Sequence, residues 1–393
     1  MISVEEALEF IKSEKVNFFN TESVEVNKAL DRVLSSPIKA PMDLPPFRQS
    51  SMDGYALNIS DDLRYEVLGE IKAGDNEKYN LLPGTCVRIF TGAAVPDSAN
   101  TVVIQEKVKR NENFIMLENS PLENQNIREK GSQIKNGCIS LKKGDKLNPA
   151  GLGFIQSLGI QNIKVYQKPV VTVIVTGNEL ISPGNPLPKG KIYESNSLIL
   201  NAGLEQKGIK PQLVAEIPDN LDATEKVLKK AFDNSDLVLI SGGISVGNYD
   251  FVGKALKNLK VQEIFYKVFQ RPGKPLYFGK KEKTYCFGLP GNPASTLSCF
   301  YVYVIPFINK LCHNSNIELF RNFVPISHNY TSNEKLGLFL KAFINDKKVT
   351  ILDYQNSSTL VSFAKANALV YLPKNSQSIQ KNDLVEVIHL PLF

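Results

Sequence analysis

The stretch "PVVTVIV" from Pro169 to Val175 is a continuous apolar run, broken only by Thr172, with no alternation. That is the pattern of a strand covered on both faces, not of one with a wet side. Such a strand needs helices above and below it, and the following text supplies them. A helix is expected over Asn196–Lys207, a strand over Gln212–Ile217, a helix from about Asp222 to Phe232, and the strand "LVLI" at Leu237–Ile240. A helix after Asp250, the run "VQEIFYKV", the hairpin "PLYFGKKEKTYCFG" and a long apolar helix from Ala294 continue the series. Strands alternating with helices predict a doubly wound, mainly parallel α/β domain with right-handed crossovers, over residues 169–313.

The flanks read differently. Ser3 and Glu6 form a capping box for a helix whose apolar face is Val4, Ala7, Leu8 and Ile11. Pro37, Pro41, Pro45 and Pro46 then hold the chain extended. From about Tyr65 to Lys146 short β-rich runs alternate with Gly, Asn and Pro, predicting a β-rich inserted domain at 46–140. Asn148 and Pro149 open a further short helix as N-cap and first helical residue. Residues 1–45 and 141–168 are read together as a linking domain. The last segment, 314–393, returns to short strands ("VTILDY", "DLVEVIHL") and hairpin turns, a small all-β domain.

Composition excludes several functions. Lys and Arg exceed Asp and Glu by only six, and the one close basic cluster, "GKKEK" at Gly279–Lys283, reads as a solvated hairpin tip. No nucleic-acid partner is expected. The five cysteines are scattered, and the three histidines all fall at His313 or later without ligand spacing. A disulfide framework, a zinc site and histidine acid–base chemistry are therefore not expected. The N-terminus carries acids where a signal peptide needs basic residues, and no apolar run is of spanning length, so a cytoplasmic protein without membrane contact is expected.

In an open parallel sheet ligands bind beyond the carboxyl ends of the strands. Three strand ends here carry unusual loops. After "LVLI" comes Ser241-Gly242-Gly243-Ile244-Ser245. Glycines let backbone N–H groups approach an oxyanion, and the serines add hydroxyls. Asp250, opening the next helix, either caps it or shares a divalent cation with a bound phosphate. The first strand runs into Thr176-Gly177-Asn178-Glu179, where Glu179 either accepts hydrogen bonds from a ligand or is a solvated loop acid. The hairpin ends in "GLPGNPAS", a rigid turn through Pro290, Gly291, Asn292 and Pro293. Before the hairpin, Arg271 and Lys274 of "QRPGKP" put a guanidinium fork and a point charge at one turn.

"SGGISVG", "TGNEL", "PGKP" and "GLPGNPAS", preceded by "SSMDGYAL" and "RIFTGAAVP", resemble the molybdopterin molybdenumtransferase family, bacterial MoeA and the E domain of gephyrin. The likeness spans essentially the whole chain, in order. It implies a homodimer of four-domain subunits that inserts molybdate into adenylylated molybdopterin and releases AMP in a magnesium-dependent step. The active site would lie between the α/β domain of one subunit and the β-rich domain of the other. By motif, Asp53 and Thr91 would line it from the β-rich domain. Glu179, Ser241, Gly242, Gly243, Asp250, Lys274, Pro290 and Asn292 would line it from the α/β domain, with Asp250 on Mg²⁺. In the Ser-rich segment "SSTLVSFAKANALVYLP", Ser358 and Ser362 are the expected contacts. The adenylyltransferase that makes the pterin substrate and molybdoenzyme apoproteins are implied partners. The chain departs from the family pattern at Ser132 and Gln133, where an acid pair is common, and at Asn248, often acidic. Arg271 is often lysine there, and Ala368 often glycine.

The chemistry suits this residue set, because cleaving a phosphoanhydride is largely positioning and charge neutralisation. Two other readings use the same loops. A molybdopterin adenylyltransferase would share the α/β domain, although that domain usually stands alone. A non-catalytic scaffold of the same fold would share all four domains.

Overall fold

The computed structural model describes residues 1–16, 18–217, 220–244, 251–376 and 378–391, with the side chains of 213–216 excepted. Two compact units emerge, Met1–Asn20 with Tyr166–Phe393, and Thr21–Val165.

The larger unit is built on a six-stranded sheet. Its strands are β1 (Val171–Thr176), β2 (Gln212–Ile217), β3 (Leu237–Ser241), β4 (Gln262–Tyr266), β5 (Tyr277–Lys281) and β6 (Thr284–Leu289), in the spatial order β2-β1-β3-β6-β5-β4. The first four in that order run parallel, and the β5–β6 hairpin with β4 adds an antiparallel edge. This is the doubly wound, mainly parallel sheet expected from the apolar runs. Every residue of β1 and β3 is buried, which is why neither shows a polar alternation. The crossover helices are α2 (Asn196–Glu205), α3 (Leu221–Asn234) and α4 (Phe251–Asn258). The apolar segment after β6 is helical throughout but changes pitch: α5 (Pro293–Cys299), a π-helical turn Phe300–Val304, then α6 (Ile305–Leu311).

Helix α1 (Val4–Ser13) has the predicted cap, with Ser3 Oγ accepting from Glu6 N and the Glu6 carboxylate accepting from Ser3 N. Its apolar face, Val4, Ala7, Leu8 and Ile11, lies in the core of this unit with Phe278, Phe287 and Phe307. Sequence pattern groups all of residues 1–45 with 141–168, whereas residues 1–20 belong to the larger unit. Periodicity identifies a face to be buried but not what buries it.

The C-terminal strands join the same unit. A sheet orders the short strand Gln270–Arg271, then Gly337–Asn345, Ala368–Leu372, Leu384–His389 and Arg321–Pro325. Gln270 and Arg271 pair in parallel with Gly337 and Leu338. Phe339, Phe363, Leu369 and Tyr371 belong to the core that also holds the α/β residues.

The smaller unit contains the expected β-rich insertion, a six-stranded sheet in the order Thr101–Ile104, Gly54–Leu57, Thr85–Ile89, Arg64–Ile71, Phe114–Leu117 and Val108–Asn111. Beside it a second core gathers Val26, Leu34, Ile38, Leu147, Ile155 and Val165. The helix Pro149–Ser157 contributes to that core and is capped by Asn148 Oδ1 on Gly151 N at 2.8 Å.

Candidate functional site

Register brings three loops level. Val175 of β1 pairs with Ser241 of β3, and Ser241 pairs with Leu289 of β6. Thr176, Gly242 and Pro290 therefore leave the sheet side by side, where β1 separates β2 from β3 and the strand order reverses. A cleft of about 770 Å³ opens there, within the ordinary range for a small-molecule site of roughly 300–1,000 Å³.

The floor is held by buried hydrogen bonds. Asn196, at the start of α2, donates through Nδ2 to Ser241 Oγ at 2.9 Å and to the Gly291 carbonyl at 2.7 Å. A carbonyl only accepts, so this amide's orientation is settled. Ser241 Oγ donates in turn to the Pro290 carbonyl at 3.4 Å, and Thr296 Oγ1 to the same oxygen at 2.5 Å. Two buried oxygens, Thr176 Oγ1 and Asn196 Oδ1, have no hydrogen-bond partner among the described residues. Buried polar atoms are rarely left so, and both belong to residues lining the cleft.

The glycines are required by space as well as by dihedral. Gly242 has φ +90° and Gly243 φ +62°. A Cβ at Gly242 would stand 2.3 Å from the Thr176 carbonyl oxygen, and one at Gly243 2.7 Å from Thr176 Oγ1. The Gly242 N–H donates to the Leu289 carbonyl at 3.2 Å. At this position the missing side chain therefore lets two loops touch, and the amide is already used.

The facing wall is charged. Arg271 and Lys274 bracket the turn Pro272–Gly273, and both line the cleft. Gln270, fully buried behind the turn, donates through Nε2 to the Gly273 carbonyl at 3.0 Å, and Tyr303 from the π-helical turn donates to Gln270 Oε1. Arg271 Nη1 forms an ion pair with Glu334 Oε1. Asn292 Nδ2 donates to Ser357 Oγ at 2.9 Å, and Ser295 N to the Ser357 carbonyl at 3.1 Å, which brings the segment with Ser357 and Ser358 to the rim.

Three family models match in chain order: the MoeA N-terminal region (domain I and II) over residues 2–159, a probable molybdopterin binding domain over 172–310, and the MoeA C-terminal region (domain IV) over 324–390. The molybdopterin molybdenumtransferase of Haemophilus influenzae is 35% identical over 381 residues, covering 93% of either chain. The chain belongs to the molybdopterin molybdenumtransferase family. The enzyme of that name from Nostoc is 32% identical over 401 residues, with 95% of this chain and 89% of that one covered. The crystal structure of a molybdopterin biosynthesis MoeA protein from Pyrococcus horikoshii superposes with a TM-score of 0.85 at 28% identity, over 99% of this chain and all of that one.

Of the residues that the MoeA motifs nominate, Thr176, Glu179, Ser241, Gly242, Arg271, Lys274, Pro290, Gly291, Asn292, Pro293 and Ser358 line the one cleft. Gly177 and Gly243 stand in its loops without lining it. Ser362 does not reach it: the side chain is buried and its hydroxyl donates to the Tyr354 carbonyl at 3.0 Å. Ser245 and Asp250 lie outside the described residues. Asp53 and Thr91 belong to the other unit, where Asp53 Oδ1 accepts from both Thr91 N and Thr91 Oγ1 at 2.7 Å. The Thr91 hydroxyl and amide together hold the Asp53 carboxyl below its ordinary value.

Sequence reasoning missed Asn196, Glu334 and Ser357. Asn196 is 45 residues from Ser241 and 95 from Gly291, and an asparagine in the first turn of a helix looks like any other. Glu334 and Ser357 are met only once the C-terminal sheet packs on the α/β core.

No set of three His, Cys, Asp or Glu side chains able to hold a metal occurs among the described residues. Glu194 is engaged as a cap on Ser197 N at 2.8 Å, and Glu334 is paired with Arg271. Mg²⁺ commonly takes only one or two carboxylates beside substrate phosphates. Glu179 also lines the cleft, and Asp250, the magnesium ligand that the family resemblance implies, lies outside the described residues.

Proposed function

We infer that this cleft is where the chain inserts molybdenum into molybdopterin, the transfer for which its curated relatives are named. The observation that carries the reading is the meeting of three parallel-strand loops and two cations, Arg271 and Lys274, around one cavity. Arg271 and Lys274 bind anionic oxygens, the guanidinium as a planar fork and the ammonium as a point charge. Tetrahedral molybdate and a phosphate ester present the same kind of oxygen to them. The Ser241–Gly243 turn and the Pro290–Pro293 turn give the pterin phosphate a close approach, and Glu179 orients the pterin or nucleotide through hydrogen bonds.

We further propose that the substrate is adenylylated molybdopterin, that AMP leaves in a magnesium-dependent step, and that the enzyme is a cytoplasmic homodimer to which Asp53 and Thr91 contribute. Bound Mg²⁺ would neutralise phosphoanhydride charge, with Asp250 as its ligand. The adenylyltransferase and apo-molybdoenzymes remain its proposed protein partners.

The decisive measurement is AMP release by the purified chain from adenylylated molybdopterin, with and without molybdate. Release that requires molybdate supports an insertase. Formation of the adenylylated pterin from ATP, with no molybdate-dependent release, would establish the adenylyltransferase reading instead, and no turnover of either kind would leave the scaffold. Asp250→Asn preserves capping ability, since Asn caps about as well as Asp. Loss of one metal contact should slow release by about 10²-fold with an unchanged melting temperature. Normal turnover and normal magnesium dependence in that variant would reduce Asp250 to a cap. Light scattering at twice the chain mass checks the dimer.

A further inference from the structure

Lys341 is a buried lysine with no ion-pair partner among the described residues. It projects from the strand Gly337–Asn345 and is only 2% exposed. Its ammonium donates to three carbonyls of one segment: Tyr354 at 2.7 Å, Asn356 at 3.2 Å and Thr359 at 3.3 Å. An ammonium has three protons, and here each finds an acceptor. Burying a charge is tolerable only with such satisfaction, and no neutral side chain could offer the same tripod of charge-assisted donors. Burial lowers the group to about 8, so it still carries its proton near neutral pH.

The main chain around Lys341 is tied to the same segment. Lys341 N donates to Gln355 Oε1 at 2.9 Å, and Gln355 Nε2 donates to the Lys341 carbonyl at 2.8 Å and to the Leu352 carbonyl at 2.7 Å. Between the clamped carbonyls of Asn356 and Thr359 sit Ser357 and Ser358, which line the cleft. Ser357 receives Asn292 Nδ2 and the Ser295 amide.

We propose that Lys341 is a positioning residue for the transfer reaction: its ammonium gathers the 354–359 segment so that Ser357 docks on Asn292 and holds the α5 entrance in its reactive geometry. The proposal rests on the cleft being the reaction site. Lys341 touches no substrate and acts through Ser357 alone.

The test combines kinetics with hydrogen exchange on the full chain, using adenylylated molybdopterin and molybdate as substrates. Lys341→Met should lower kcat/KM by about 10²-fold, the scale expected when reacting groups are misplaced by about an ångström. The Ser295 amide, which donates to Ser357, should exchange faster in the same variant. Lys341→Arg should recover most of both. Combined with Ser357→Ala, which removes the Ser357 hydroxyl and keeps its carbonyl, Lys341→Met should add little further loss of kcat/KM, because the loss runs through the Asn292–Ser357 Oγ hydrogen bond that both variants break. If Lys341→Met does not fold, Gln355→Leu loosens the segment without removing the buried cation and should move the same two readouts less far. A Lys341→Met or Gln355→Leu protein that melts lower but keeps the Ser295 exchange rate and kcat/KM of the wild type would overturn the proposal. Losses that simply multiply with Ser357→Ala would overturn it too. Exchange does not depend on chemistry, so faster Ser295 exchange in a chain that never releases AMP would uphold the clamp and sink the reading of the cleft.

Discussion

The two walls of the cleft are made in opposite ways. On the β3–β6 side, Gly242 lies so close to the Thr176 carbonyl that a side chain is excluded, and the hydrogen bonds that hold Ser241 and the Pro290–Gly291 turn carry no charge. On the facing side the turn from Arg271 to Lys274 exposes its two cations, while Pro272, Gly273 and the Gln270 side chain on the Gly273 carbonyl are buried. The first wall controls how near a ligand can come. The second controls what charge that ligand must have. A steric wall should fail abruptly when altered, and a charged one gradually and in a salt-dependent way.

Gly242→Ala should separate the two most strongly. Backbone strain at φ +90° alone costs about 1–3 kcal/mol, and the new Cβ would begin 2.3 Å from the Thr176 carbonyl. A lowered melting temperature with turnover nearly abolished, at every salt concentration, is expected. A normal melt with normal turnover would break the comparison.

Lys274→Ala leaves the fold alone and tests charge. Molybdate affinity by calorimetry should fall about tenfold, equivalent to roughly 1.4 kcal/mol. The difference from wild type should shrink at high salt, because ions screen the attraction that the wild type enjoys. A salt-independent deficit would move Lys274 from the charged wall to the steric one.

Glu334→Gln acts in the reverse direction. It releases Arg271 from its ion pair. Exposed pairs contribute about 0–1 kcal/mol, so molybdate should bind more tightly by up to about fivefold. Weaker binding in this variant would mean that Glu334 holds Arg271 in its binding position instead of competing for it.

The smallest effect is expected at Asp53, the carboxylate of the other unit. The Thr91 hydroxyl depresses its folded-state pKa from the ordinary 3.8. A carboxyl depressed on folding adds stability above its unfolded pKa and loses it as pH falls through the folded one. Thr91→Val should therefore melt slightly below wild type near neutrality, with the gap closing below about pH 4. A gap that stays constant with pH would trace to packing instead.

What could be read without coordinates was local. The apolar run from Pro169, the capping box of Ser3 and Glu6, and the Asn148–Pro149 helix start are each set by neighbours within a few residues, and each stands as read. The motif loops were legible for the same reason, since Gly242 and Pro290 follow directly from the ends of their strands. Ser362 shows the limit: it has the right residue type in the right segment, yet its hydroxyl turns inward to Tyr354 while Ser357, five residues earlier, reaches Asn292. The partner of helix α1, the pairing of Arg271 with Leu338 and with Glu334, and the burial of Lys341 were decided by packing. Those contacts join segments tens to hundreds of residues apart. A sequence pattern records which face must be buried or which charge must be matched, but only the folded chain selects the surface that does it.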